Sequence, residues 1–415
     1  MSASQWRRAM KSPAAGAAVA KEAREAREVA RVSRAPRDAS EVHGARVAVL
    51  PRSANKATRP VEPSPAHGDL PRWLSALLRP VRWRHFLVAA LVLLYPFFAT
   101  PFFTFQIGAQ SLALGLVALS LTFLGGYGGM VSLAQMTVAG FAAYLVAIIG
   151  SSSNVAISLG WPWWLAVIAA LSLSTVFSAA IGWLSVRTEG IYTIMITLAV
   201  GVAFFYLAQQ NYTLFNGFQG FSKLAAPTVF GLDLREPMPF YFLVLACSAA
   251  GYFLIKHLIR APFGIVLQGI RDNPRRMQAL GYNVTAHRVA AYAVAGFLAA
   301  VGGVLLVWYN GRISPGTVGI GAMINILIIA VLGGMKHPIG AFIGAVVFVL
   351  LQNFAIDLVD RERFNLVIGG VFLAIVLFSP DGLLGLWQHL RSRMSGRGPQ
   401  PRQRPHSTTT NRSET

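Results

Sequence analysis

Apolar runs of about one membrane-crossing length recur along the chain, separated by short polar or glycine-rich breaks. They fall near 86–103, 107–124, 131–150, 162–186, 191–209, 238–258, 289–309, 319–335, 338–356 and 364–380. About 20 apolar residues at 1.5 Å each cross a hydrocarbon core of ~30 Å. The pattern therefore predicts an all-α polytopic membrane protein with about ten transmembrane helices. Counting alternately from a cytoplasmic amino terminus places Arg187, Lys256, His257, Arg260, Arg271, Arg275, Arg276, Arg288, Lys336 and the basic carboxyl tail inside. The other side receives the uncharged loop 151–160, the loop 211–237 and residues 357–363, where acids balance bases. Excess cationic charge on one side supports that orientation, with both termini cytoplasmic. Near 125–135 and 333–340, glycine and proline can break or half-insert a helix.

A compact polar stretch inside this pattern is residues 264–288, GIVLQGIRDNPRRMQALGYNVTAHR. Its chemistry spells one short exposed helix. Asn273 suits the cap, Pro274 the first helical position, where a missing N–H costs nothing, and Gly281 the left-handed residue that ends it. Arg275, Arg276 and Gln278 face outward, while Met277 and Leu280, three residues apart, share an apolar face. Such a knob serves either as a docking element for a partner or as an amphipathic connector on the bilayer.

Composition agrees with a membrane protein: of 415 residues 54% are hydrophobic and 13% charged, with a mean hydropathy of +0.53. The net charge of +20 resembles a nucleic-acid signature until it is located. Residues 1–84 carry 17 Lys or Arg against 7 Asp or Glu, and residues 388–415 carry 6 against 1. The excess sits mainly in two tails without interleaved aromatics, which points to anionic membrane lipid and away from nucleic acid. The chain accordingly divides into a disordered basic tail (1–80), a membrane domain (81–387) and a second disordered basic tail (388–415). Residues 73–84 mix Trp and Leu with Arg, as an interfacial segment or plain basic flank does. The single cysteine, Cys247, lies inside an apolar run and can form no intrachain disulfide. The first 60 residues show no apolar signal-peptide core, so insertion is expected to begin with the first span.

The spans hold no Asp, Glu, Lys or Arg away from their ends, which argues against a proton pump or a voltage sensor. No Walker-type loop is present to bind nucleotide phosphates, and the eight histidines follow no metal-binding spacing. Paired carboxylates and a nucleophile elbow are missing too, so this chain is read as a non-enzyme without a cofactor or metal of its own. Gly302, Gly303, Gly333, Gly334, Gly340 and Gly344 suit close helix packing or subunit contact. Residues 125–135 differ, because Tyr127, Ser132 and Gln135 accompany flexible backbone at membrane depth, which is tolerated where it lines a cavity or is buried in protein. They are candidates for a translocation path. Asn325 and Gln352 face either that path or a helix–helix hydrogen bond.

Four segments in this order resemble the LivM-type permease subunit of bacterial ABC importers for branched-chain amino acids. They are GYGGMVSLAQMTVAGFAAY (126–144), RTEGIYTIMITLAVG (187–201), RDNPRRMQALGYNVTAHRVAAYAVAGFLAAVGGVL (271–305) and IAVLGGMKHPIGAFIGAV (329–346), the last with SPDGLLGLW (379–387). The resemblance spans residues 86–387 and departs from the family pattern at Ala134, Gln135 and the Pro274-Arg275-Arg276 run. It implies a multi-pass subunit of the bacterial inner membrane. The partners would be two ABC ATPases, which bind ATP and Mg, a second permease subunit of the LivH type, and an extracytoplasmic solute-binding protein. Under this reading Asn273, Pro274, Arg275, Arg276, Met277, Leu280 and Gly281 form the ATPase-coupling helix. Tyr127, Ser132, Gln135 and Asn325 belong to the path for branched-chain or related neutral amino acids. A passive channel for urea or a short amide is the alternative; it leaves the docking helix without a role. A membrane scaffold or receptor would need no polar path.

Overall fold

The computed structural model describes residues 92–358 apart from 155, 189, 225 and 230, together with 369, 370, 373, 377 and 382–385. Both tails, the segment 73–84, the start of the run at 86–103 and most of the run at 364–380 lie outside the described residues. From Phe103 onward ten helices of six or more residues are described. They are α1 (Phe103–Tyr127), α2 (Gln135–Ile149), α3 (Trp163–Ser185), α4 (Ile191–Gln210), α5 (Pro237–Arg260), α6 (Pro262–Asp272), α7 (Pro274–Ala279), α8 (Val284–Asn310), α9 (Ile320–Gly333) and α10 (Pro338–Leu358). The chain is an all-α multi-pass membrane protein. Seven of the expected spans have a helix whose ends fall within a few residues of the apolar run, because helix length in a bilayer follows hydrocarbon thickness.

Among the described residues, five helices are long and apolar enough to cross a membrane, α1, α3, α4, α5 and α8. A sixth is counted if α9 and α10, bent by 117° at their break, form one span. The difference from ten has physical reasons. The run 131–150 starts in non-helical backbone, leaving α2 with 15 residues. At 14 residues α9 reaches about 21 Å, short of a full crossing. On α3, exposed Trp163 and Trp183 stand twenty residues apart, about 30 Å, as two interfacial belts require. Arg187 stacks over Trp183 at 4.2 Å at one of those belts.

Hydrogen bonds between loops fix which helix ends lie together. At one end Ser153 N–H donates to Ser222 O at 3.0 Å and Leu224 N–H to Gly311 O at 3.0 Å. Two-residue strands β1 (Phe221–Ser222) and β4 (Arg312–Ile313) pair antiparallel there, with Ser222 opposite Arg312. A second short pair, β2 (Thr228–Val229) with β3 (Leu232–Asp233), lies within the same loop. At the other end the hydroxyl of Tyr127 donates to Lys336 O at 2.9 Å, and the Arg271 guanidinium to Gly126 O at 2.6 Å. The helices therefore alternate in direction in the order expected from the charge pattern.

Helices α1 and α8 form the centre, with 78% and 61% of their apolar windows buried against 28–33% for α3, α4 and α5. Helix α8 packs on α3, α2 and α1, and α1 packs on α10. Hydrocarbon gives no hydrophobic drive between helices, so close backbone approach must supply the attraction. Gly303 of α8 lies directly on the Ala139 carbonyl of α2, where an added Cβ would overlap backbone. Gly333, Gly340 and Gly344 bring α9 and α10 into backbone contact in the same way. Ser178 of α3 donates to Tyr292 O of α8 at 2.7 Å, a bond between helices at a buried position.

Replacing Gly303 by leucine should lower thermal stability sharply, since overpacking a tight site costs about 1–3 kcal/mol and this contact is to rigid backbone. Gly321→Ala is the control, because a Cβ there meets nothing within 4 Å. Scanning fluorimetry of detergent-purified protein should show a fall for the first and no change for the second.

Candidate functional site

The exposed helix unit is built by two asparagine caps. Asn273 accepts from Arg276 N–H at 2.9 Å through its side chain and opens α7, with Pro274 at the first position. The six-residue helix closes through Tyr282 N–H to Met277 O at 3.1 Å and Gly281 N–H to Gln278 O at 2.9 Å. That reciprocal pair is a Schellman ending, and it requires the left-handed backbone of Gly281 at φ +90°. Asn283 then caps α8 by accepting from Ala286 N–H at 3.0 Å. Arg275, Arg276, Gln278 and Leu280 are exposed, and no residue of α7 is buried. The expected shared apolar face of Met277 and Leu280 is not formed. Met277 turns onto Gly269 of α6, whereas Leu280 caps the helix outside its regular turns and is 66% exposed.

This unit is tied to the bundle through the glycine-rich break between α1 and α2. Arg271, at the end of α6, donates to Gly126 O, pairs with Asp272 at 2.9 Å, and lays its methylenes against Gly129. Gly129 has φ +68°, which turns the chain out of α1. Helix α1 widens before that turn into a π-helical stretch, Phe123–Tyr127, and Gly126 there touches the backbone of Met335. Tyr127 bonds Lys336 next door. Leu133 N–H, freed by the break, donates to Thr197 of α4 at 3.2 Å. Residues 125–134 thus join α1, α2, α4, α6 and the α9–α10 turn.

At the opposite end a cavity of about 190 Å³ opens between α1, α2, α8, α9 and α10. Its polar wall is made by Gln110, Asn310, Arg312, Thr317, Asn325 and Gln352, and its apolar wall includes Leu114, Met136, Ile329 and Phe348. Asn325 lines this cavity. Tyr127, Ser132 and Gln135 lie off it: Tyr127 is at the α9–α10 turn, while Ser132 and Gln135 are buried in protein. Gln135 accepts from Ser120 of α1 at 3.2 Å, bridging the break. Gln110, Asn310, Arg312 and Thr317 were not singled out from sequence. Among the described residues no group of three or more His, Cys, Asp or Glu is placed to hold a metal.

Residues 103–376 match the family described as branched-chain amino acid transport system, permease component. The chain is 27% identical over 241 residues to the high-affinity branched-chain amino acid transport system permease protein LivM of Salmonella typhimurium, covering 52% of this chain and 56% of that one. Against LivM of Escherichia coli it is 25% identical over 329 residues, covering 73% and 75%. The ribose import permease protein RbsC of Haemophilus influenzae is 26% identical over 198 residues, covering 46% and 59%. The chain thus spans little more than half the length of two of these three relatives. No solved structure matches.

Asn273→Ala should weaken the start of α7 by about 1 kcal/mol, and so speed exchange of the Arg276 amide roughly five-fold. Hydrogen-exchange mass spectrometry over residues 271–283 reads this directly, with the amides of α8 unaffected.

Proposed function

The chain belongs to the permease-component family of branched-chain amino acid transport systems, and from that premise we propose that it is a path-forming subunit of a binding-protein-dependent ABC importer. The observation that carries this reading is the pairing of a cavity at one end of the bundle with an exposed, doubly capped helix at the other. A subunit with no nucleotide loop of its own needs a surface on which work arrives, and α7 has the rigidity and exposure for that purpose. Two cytoplasmic ATPases would bind ATP and Mg and press on α7. An extracytoplasmic binding protein would deliver solute at the loops around 151–160, 211–236 and 311–319. A second permease subunit would complete the path, in the inner membrane of a bacterium with both termini of this chain in the cytoplasm.

Under this reading the solutes are branched-chain or related neutral amino acids, by analogy with the two LivM proteins. Movement at α7 passes through Met277 and Gly269 to α6 and from Arg271 to Gly126 and Gly129. The contacts of Gly126 and Tyr127 with Met335 and Lys336 carry it to the α9–α10 turn, whose helices wall the cavity. A passive facilitator would have no use for this route.

The test is affinity purification of this chain from its native membrane in mild detergent, with mass spectrometry, for the unmodified protein and Gly281→Leu. A leucine at φ +90° cannot close the Schellman ending without strain. The importer reading expects an ATPase and a second permease with the first, and loss of the ATPase alone with the second. A chain that purifies by itself in both forms would contradict it. Arg275→Ala with Arg276→Ala should likewise lower ATP-dependent uptake at least several-fold without reducing the amount of protein in the membrane.

A further inference from the structure

The cavity contains a feature that membership of a permease family does not supply: a cation at its mouth and amides held in opposite senses below it. Helix directions set the heights. Asn310 ends α8, whereas Gln110, Asn325 and Gln352 lie about one to two turns inside the outer ends of α1, α9 and α10, so the four amides form a polar band just below the mouth. Ala139, Gly303, Ile329 and Phe348 lie deeper and form an apolar floor.

Two of these amides are oriented by neighbours. The Tyr309 hydroxyl has one proton, which goes to Oε1 of Gln106 at 3.0 Å with Oε1 of Gln110 next to it at 3.4 Å; the Gln110 carbonyl thus turns toward Tyr309 and its NH2 makes no hydrogen bond to another described residue. Asn310 spends its own NH2 on Leu306 O at 2.9 Å, which leaves Oδ1 as an acceptor. The side-chain amides of Asn325 and Gln352 make no hydrogen bond to another described residue. Among the described lining residues none is acidic and Arg312 is the one cation. Its place is fixed by the β1–β4 pair, where it stands opposite Ser222.

We propose that Arg312 and the Gln110 amide form a carboxylate-reading site within the permease itself, so that this subunit, and not the delivering protein alone, selects what crosses. A guanidinium at the mouth recognises a carboxylate through paired charge-assisted hydrogen bonds. The Asn310 oxygen suits an ammonium group on the same solute, and the floor suits an apolar side chain. Arg312 is exposed beside buried Ile313, and solvent at the guanidinium keeps its grip weak enough for release. The inference rests on the proposed function only in taking the cavity as the solute's way through; it needs no ATP.

The test is solute protection of a cysteine in the cavity wall. Purified complex with Cys247→Ser and Ala322→Cys is treated with a maleimide in the presence of leucine, leucinol or ribose at equal millimolar concentration. Leucine should slow modification at least three-fold, whereas leucinol and ribose, which carry no carboxylate, should not. With each variant compared with its own rate without solute, Arg312→Gln should abolish the protection by leucine, and Arg312→Lys should keep part of it. Equal protection by leucinol, no protection by leucine, or undiminished protection in Arg312→Gln would each overturn the proposal. Because the assay uses neither nucleotide nor binding protein, its outcome is separate from the purification test of the importer reading.

Discussion

Backbone that leaves a helix inside an apolar bundle must have its N–H and C=O groups taken up by something, because hydrocarbon offers no partner. Residues 129–134 are such a departure, and the architecture around them follows from how that demand is met. Met130 N–H returns to Leu124 O at 3.0 Å, Leu133 N–H goes to Thr197, and Gly126 O receives Arg271. Each solution draws a different element to the break. The same residues that allow a non-helical turn therefore bind α4, α6 and the α9–α10 turn into one junction.

That junction lies between the two parts to which function is assigned here. Below it, α6 and α7 form an exposed unit held by caps and by one arginine. Above it, α1, α2, α9 and α10 contribute walls of the cavity. The contacts at Gly303 and at Gly333, Gly340 and Gly344 are backbone-to-backbone and leave little room for local deformation. The π-helical ends of α1 are the exception, since a wider turn can gain or lose its extra residue. The proposed transmission from α7 to the cavity runs through the inner of these two ends.

Much of the fold was legible in the sequence because a bilayer imposes one length scale on apolar segments. The α7 unit was legible for a different reason: Asn273, Pro274 and Gly281 each answer a local backbone need that no tertiary contact has to supply. The cavity was not. Its lining comes from five helices, and in spans buried on many sides the apolar pattern gives no face to read. Gln110 and Asn310 look like any amide near a helix end. Arg312 follows the end of an apolar run as any flanking cation does, and only the pairing of two-residue strands 90 positions apart puts it at the mouth. Met277 and Leu280 misled because three-residue spacing implies one face only while the helix continues, and α7 stops between them.

The central claim is that work delivered at α7 reaches the cavity through Arg271 and the break it supports. The most direct measurement is the ratio of solute imported to ATP hydrolysed by the complete transporter in proteoliposomes, compared between the unmodified chain and Arg271→Ala. The account predicts that ATP hydrolysis persists within about two-fold while import falls about ten-fold, so that the ratio collapses. An unchanged ratio would contradict it.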